Sequence, residues 1–392
     1  MAETKGKRQG QSSDGATAAA AASIASVLGD DNLLVEILLR LGSPVWLVRG
    51  ALVRRRWLRL ASDLAFLRRF RGLHPPRILG HGVHRFGLSP RFLPVPQPPE
   101  LAAAARHAGR ALEILGCRDW VMDCRNGRLL AQTYSNGKLR YVVRRLLHEA
   151  WETILPPPPP GFSKSGSNRL FLLEDDGDST SCLFLSMKCD NAKVYAKFSI
   201  LRSGVWGMEQ SAEIELQQNQ HYTVLGYKLL MGSKVYMMSS AGRIVVLDLV
   251  APSFFIVELP AEEGCSRSLK FSRAQRSGLY LIDATGLQLR VWHGDGVGQW
   301  ALVDTISVCE ACNHFNVQRW EPDDGQSVPV SVVAVSDNAE FVILKLVASE
   351  IVCCMQLGNR VVDKVDEGVL RNYDASVYPI AMVWPPIFPV FD

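Results

Sequence analysis

Apolar positions change their rhythm along this chain, and the changes divide it. Residues 1–26 have no period: Gln, Ser, Gly and Lys run into the alanines Ala18–Ala22, which reads as a disordered tail. From Leu28 the period is helical. Leu33, Leu34, Ile37, Leu38 and Leu41 form one stripe on a helix that Asp30 or Asp31 can cap. Ser43-Pro44 starts a second helix carrying Leu47, Val48, Ala51 and Leu52, and the apolar face continues through Trp57, Leu60 and Ala61. Ser62-Asp63 caps a last short helix with Phe66, Leu67 and Phe70, and Pro75-Pro76 stops it. Helices this short bury little area by themselves, so the unit at 27–77 is expected to dock onto something.

From Ile78 to the end the texture becomes short β runs separated by Gly, Asn, Asp and Pro. Weak repeats share an order of apolar run, turn, apolar run, then a bulky residue. The clearest is Gly232–Leu249 followed by Phe254-Phe255. Others are Gly137–Val143 with Trp151, Gly278–Trp292 with Trp300, Val194–Leu201 with Trp206, and Val330–Val335 with Phe341–Leu346. Trp151, Trp206, Phe254 and Trp300 stand 46–55 residues apart, a spacing suited to one four-stranded blade per repeat. A lone blade cannot cover both its faces, whereas a ring of blades buries face on face. The predicted class is therefore α+β multidomain: a helical unit, then a mainly β domain at 78–392, a kelch-like propeller of about six blades. A β-sandwich or two small β domains is the competing arrangement.

Composition sharpens this. Hydrophobic residues are 47% and charged residues 21% of 392, enough for a sizeable core. Nine cysteines without an apolar signal core after Met1 imply a soluble chain of a reducing compartment, cytoplasm or nucleus, with no membrane partner. The net charge of +4 is uneven: between Arg40 and Arg91 there are twelve Arg and one acid, Asp63. An acidic partner or a solvated basic helix face would each explain it.

Candidate chemistry is thin. Cys309-x-x-Cys312 with His314 looks like half a zinc site but lacks a second pair of ligands, and buried free thiols fit better. Cys353 and Cys354 adjoin on an apparent strand and should face opposite ways. Glu174–Asp178 reads as a solvated turn rather than a Ca²⁺ loop, Gly294–Gly298 as a turn rather than a nucleotide loop, and His74, His81 and His84 as loop residues. Pro156–Pro160 reads as a stiff loop. No G-x-S-x-G, Walker or H-E-x-x-H motif is present. The expectation is no catalytic residue, no cofactor and no metal.

The helical segment resembles an F-box. The resemblance rests on Leu28-Gly-Asp-Asp-Asn-Leu-Leu-Val-Glu-Ile-Leu-Leu-Arg-Leu41, Leu47-Val48-Arg49, Leu52-Val53-Arg-Arg-Arg-Trp57 and Leu60-Ala-Ser-Asp63. With Phe66–Arg71, and later Gly286–Trp292, Trp300–Ile306, Asp337–Phe341 and Trp384–Pro389, it is similar to a plant F-box family expanded in grasses. That resemblance implies a substrate-recognition subunit of an SCF-type cullin–RING ubiquitin ligase. Leu28, Leu33, Leu34, Ile37, Leu38, Leu41, Leu47, Leu52, Val53 and Trp57 would serve a Skp-type adaptor, and through it cullin and RING subunits. The β domain would hold an unidentified protein substrate. Gly29 and Gly42 stand where the family has Pro, and Arg54 where it has Cys; these departures would weaken docking. Competing functions are an enzyme on a kelch-like propeller and, more weakly, an Arg-rich nucleic-acid binder.

Overall fold

In the computed structural model the chain forms two compact units, one of residues 1–77 with 382–392 and one of residues 78–381. The structure describes residues 11–392 except 75–76, 86, 136, 148–151, 160–166, 173–179, 190–192, 216–223, 240–242, 261–268, 275–277, 318–319, 321–327, 366–374, 384–385, 387 and 389–392. Trp151, Glu174–Asp178 and Trp384 lie outside the described residues.

Among the described residues the first unit has five helices: α1 Gln11–Gly29, α2 Asp31–Leu39, α3 Pro44–Ala51, α4 Arg55–Ala61 and α5 Leu64–Leu73. Of the stretch 1–26 expected as a disordered tail, residues 11–26 are helical in α1, because an alanine-rich run without proline costs little to hold helical; residues 1–10 lie outside the described residues. The described side chains of α1 are exposed as far as Val27. Asp30 caps α2 through the amides of Asn32 (2.8 Å) and Leu33 (3.1 Å). Ser43 caps α3 with Pro44 at its first position, and Asp63 caps α5. The core is Leu34, Leu38, Leu39, Leu47, Ala51, Ala61, Phe66, Leu67 and Phe70. The C-terminal segment belongs here too, which corrects its assignment to the β domain. Met382 N–H donates to Arg77 O (3.1 Å) and Phe388 packs on this core.

The second unit is a propeller of six sheets. It opens with β1 Ile78–Arg85 and β2 Arg91–Pro94, then α6 Pro99–Glu113. The first blade holds β3 Trp120–Arg125, β4 Arg128–Ser135, β5 Lys138–Arg145 and β6 Glu152–Leu155. The second holds β7 Ser167–Leu172, β8 Cys182–Cys189 and β9 Lys193–Arg202, with β10 Val205–Trp206 and β11 Gln210–Glu215 both paired to β9. The third is β12 Val224–Met231, β13 Lys234–Ser239, β14 Arg243–Asp248 and β15 Ser253–Glu258. The fourth is β16 Lys270–Arg273, β17 Leu279–Thr285, β18 Gln288–Gly294 and β19 Trp300–Ser307. The fifth is β20 Val330–Val335, β21 Phe341–Leu346, β22 Ile351–Gln356 and β23 Val362–Val365. All pairings within these blades are antiparallel.

The sixth sheet is shared by the two ends of the unit. β24 Ala375–Ala381 pairs with β1, and β1 with β2, in the order β2-β1-β24. β24 then touches both β20 and β3, so this sheet links the fifth blade to the first. Closure leaves no unpaired sheet stack at either end. α6, not anticipated in a domain expected to be mainly β, seals the joint: its Ala108 and Leu112, with Leu115 just beyond it, pack with Val121, Leu129 and Ile380. Glycine is required where Phe92 crosses β1, since a Cβ on Gly80 would stand 2.5 Å from both the Leu93 carbonyl oxygen and the Phe92 ring. The core runs between blades. Leu183, Phe198, Val235 and Leu247 fill one joint, and Ile282, Val332, Val342 and Leu344 another. Among the described residues no helix is long and apolar enough to cross a membrane.

Candidate functional site

The ten residues expected to meet an adaptor separate into three groups. Leu34, Leu38 and Leu47 are fully buried in the helical core, which corrects their reading as contact residues: a side chain at about 0–1% exposure offers nothing to a second protein. Leu28, Leu41 and Trp57 are half-buried at the edge of that core. Leu33 (47% exposed), Ile37 (37%), Leu52 (44%) and Val53 (59%) face out, joined by Trp46 (45%), which the sequence reading passed over. The helix period produces this division. Leu33 and Ile37 share one face of α2, and Leu34 and Leu38, one position on, share the next. A stripe two residues wide therefore has an inner and an outer half.

The surroundings of the strip are held from within. Arg56 on α4 donates Nε to Asp31 Oδ1 (2.6 Å), Nη1 to Leu28 O (3.1 Å) and Nη2 to Gly29 O (2.6 Å). One guanidinium thus fastens the α1–α2 corner where the family's proline is missing. Asp31, one of two candidate caps, is an ion-pair partner instead. Arg69 on α5 donates to Glu36 on α2 (2.7 Å), and the Arg49 guanidinium lies 4.8 Å over the Trp46 ring. Arg40, Arg49, Arg54, Arg55 and Arg59 are exposed, so the unit presents positive charge around its apolar residues.

The remaining candidates have structural surroundings. Cys312 Sγ lies 4.0 Å from Cys353 Sγ inside a blade joint, and His314 Nε2 contacts Val362 O (3.1 Å). Cys353 and Cys354 face different joints, as alternation requires. Burial pushes the Cys124 and Cys354 thiols up to about 12, which keeps both protonated at neutral pH. His81 and His84 stand on β1 rather than in a loop, both buried. Gly294–Gly298 is a turn in which Asp295 Oδ1 accepts from Val297, Gly298 and Gln299. Among the described residues no group of three His, Cys, Asp or Glu is placed to hold a metal ion.

Comparison with known proteins bears on the propeller. No curated protein matches the sequence. Solved structures with a similar chain path include one from a nidogen/laminin complex, at 12% identity over 76% of this chain and 97% of that one, TM-score 0.41. YCF48 bound to D1 peptide matches at 11% over 76% and 84%, TM-score 0.36. The Myceliophteria thermophila Cps50 (Swd1) β-propeller domain matches at 11% over 62% and 70%, TM-score 0.31. These likenesses carry no functional argument. The family model described as F-box protein AT5G49610-like, beta-propeller, spans residues 120–388, more than half of the chain. With five complete blades and the closing strand inside that span, the chain belongs to this family of F-box proteins.

Proposed function

We propose that this protein is the substrate-recognition subunit of an SCF-type cullin–RING ubiquitin ligase. In this reading the helical unit docks a Skp-type adaptor and the propeller holds the protein to be modified. The observation that carries it is the exposed outer half of the α2 stripe, Leu33 and Ile37, on a unit whose inner half is already packed. Membership of an F-box family supports the same role. Burying apolar surface returns about 25 cal/mol per Å², so a few such anchors suffice for stable docking, and the flanking arginines speed encounter with an acidic partner.

The mechanism is proximity. The chain makes and breaks no bond; it raises the effective concentration of a substrate lysine near a charged conjugating enzyme. Such a subunit works in the cytoplasm, the nucleus or both. The test is co-purification of the full chain with a Skp-type adaptor. Stable capture that is lost in a Leu33→Asp/Ile37→Asp variant supports the reading. Capture of DNA or RNA instead, falling steeply with salt, supports the nucleic-acid alternative.

A further inference from the structure

Charge divides the propeller, and the division falls on one surface. Residues 78–147, from β1 to just past β5, hold eleven Lys and Arg against four Asp and Glu, whereas residues 148–392 hold 19 against 29. Among the described residues from Leu101 to Arg145, Glu113 is the one exposed acid, while Arg106, Arg110, Arg118 and Lys138 are all exposed. None of these four cations has an ion-pair partner among the described residues.

The local geometry gathers them around apolar side chains. Arg106, Arg110 and Ile114 follow at i, i+4 and i+8, so they share the outward face of α6 and of the residue that caps it. Just beyond, one carboxylate ties this helix end to the β4–β5 hairpin. Asp119 Oδ2 accepts from Gly116 N–H (2.8 Å) and Oδ1 from Tyr134 N–H (3.0 Å). Tyr134 stands directly opposite Leu139 across the hairpin, which sets their side chains on one face. Lys138 and Arg140 flank Leu139, and Arg118 precedes Asp119. Ile114, Tyr134 and Leu139 are all exposed. Apolar residues scattered singly over a surface are ordinary; three on two elements joined through Asp119, bordered by cations, mark an interaction site.

We infer that this surface of α6 and the first blade docks an acidic segment of the substrate protein, in which carboxylates are interspersed with aliphatic or aromatic residues. The inference rests on the receptor role proposed above and names the class of target. The apolar residues of the segment cover Ile114, Tyr134 and Leu139, and its carboxylates pair with Arg110, Arg118 and Lys138 at the rim. The acidic remainder of the propeller repels such a segment and steers it to this side. A nucleic acid would use the cations and leave Ile114 and Leu139 without an apolar partner, so a peptide fits the surface better.

The experiment is fluorescence anisotropy of the full chain with labelled synthetic peptides in which Asp and Glu are interspersed with Leu, Ile or Phe at varied spacing. The same peptides with Asn and Gln in place of the acids, and an oligothymidylate, are the controls. The expected result is saturable binding of an acidic peptide, weakened about tenfold or more by the Asn/Gln replacement, by Arg118→Glu/Lys138→Glu and by Leu139→Ser. If Leu139→Ser does not fold, the charge reversal of two exposed side chains still decides. Binding of none of the acidic peptides, equal binding by the folded charge-reversed chain, or preference for the oligothymidylate overturns the inference. Adaptor binding by the wild type is measured separately. A chain that binds adaptor but no acidic peptide refutes this surface alone, and one that binds peptide but no adaptor refutes the ligase reading alone.

Discussion

Neighbouring leucines in α2 have opposite fates, and substitution separates them. Leu34→Ala or Leu38→Ala empties a sealed core and should lower stability by about 2–5 kcal/mol, measured by urea unfolding. Leu33→Asp/Ile37→Asp should leave stability within about 1 kcal/mol, because both side chains already meet solvent. A buried histidine gives the second prediction at this scale. His81 sits on β1 at 1% exposure with neither ring nitrogen partnered among the described residues, and burial lowers its pKa from 6.5 to about 4. The unfolded chain therefore binds more protons between those values. Stability is complete above pH 6.5 and falls as the pH drops toward 4, by about 3 kcal/mol at most, since each unit is worth about 1.36 kcal/mol. Urea midpoints from pH 7 to 4 should show this fall, and His81→Leu should flatten it.

Elements show which signals a sequence carries openly. Caps were legible because they are local: Asp30, Ser43 and Asp63 each bond amides two or three residues on. Asp63→Ala should cost about 1 kcal/mol in the same denaturation assay. Gly29 ends α1 with open space where a Cβ would stand, so Gly29→Ala should gain about 0.5–1 kcal/mol rather than lose it. The two alanine-rich helices were harder to read. Composition alone makes α1 look like a tail, and the surrounding β texture masks α6, although Leu101, Ala105, Ala108 and Leu112 recur at helical spacing. The outer and inner halves of the α2 stripe are indistinguishable in sequence, since Leu33 and Ile37 are as aliphatic as Leu34 and Leu38. Only the packing of α4 and α5 against one side separates them.

At the scale of the whole molecule, repetition was legible and closure was not. Trp206, Phe254 and Trp300 fall on strands at the outer side of successive blades, which is why their spacing gave the blade length. No local pattern announces that β1 and β24, some three hundred residues apart, complete one sheet. Nor does spacing reveal that Arg125 and Arg273 meet on the Leu230 carbonyl, because only the ring brings them together. Removing residues 375–392 takes away the strand that joins β1 to the ring, and should abolish a single cooperative melting transition in calorimetry.

The most direct measurement of function is the affinity of the purified chain for a Skp-type adaptor, by surface plasmon resonance, in wild type and in Leu33→Asp/Ile37→Asp. The expected result is specific binding by the wild type and a loss of about thirtyfold or more in the variant, as removal of a central apolar anchor gives. An absence of binding by the folded wild type, or equal binding by the two proteins, would contradict the reading of this chain as a ligase subunit docked through its helical unit.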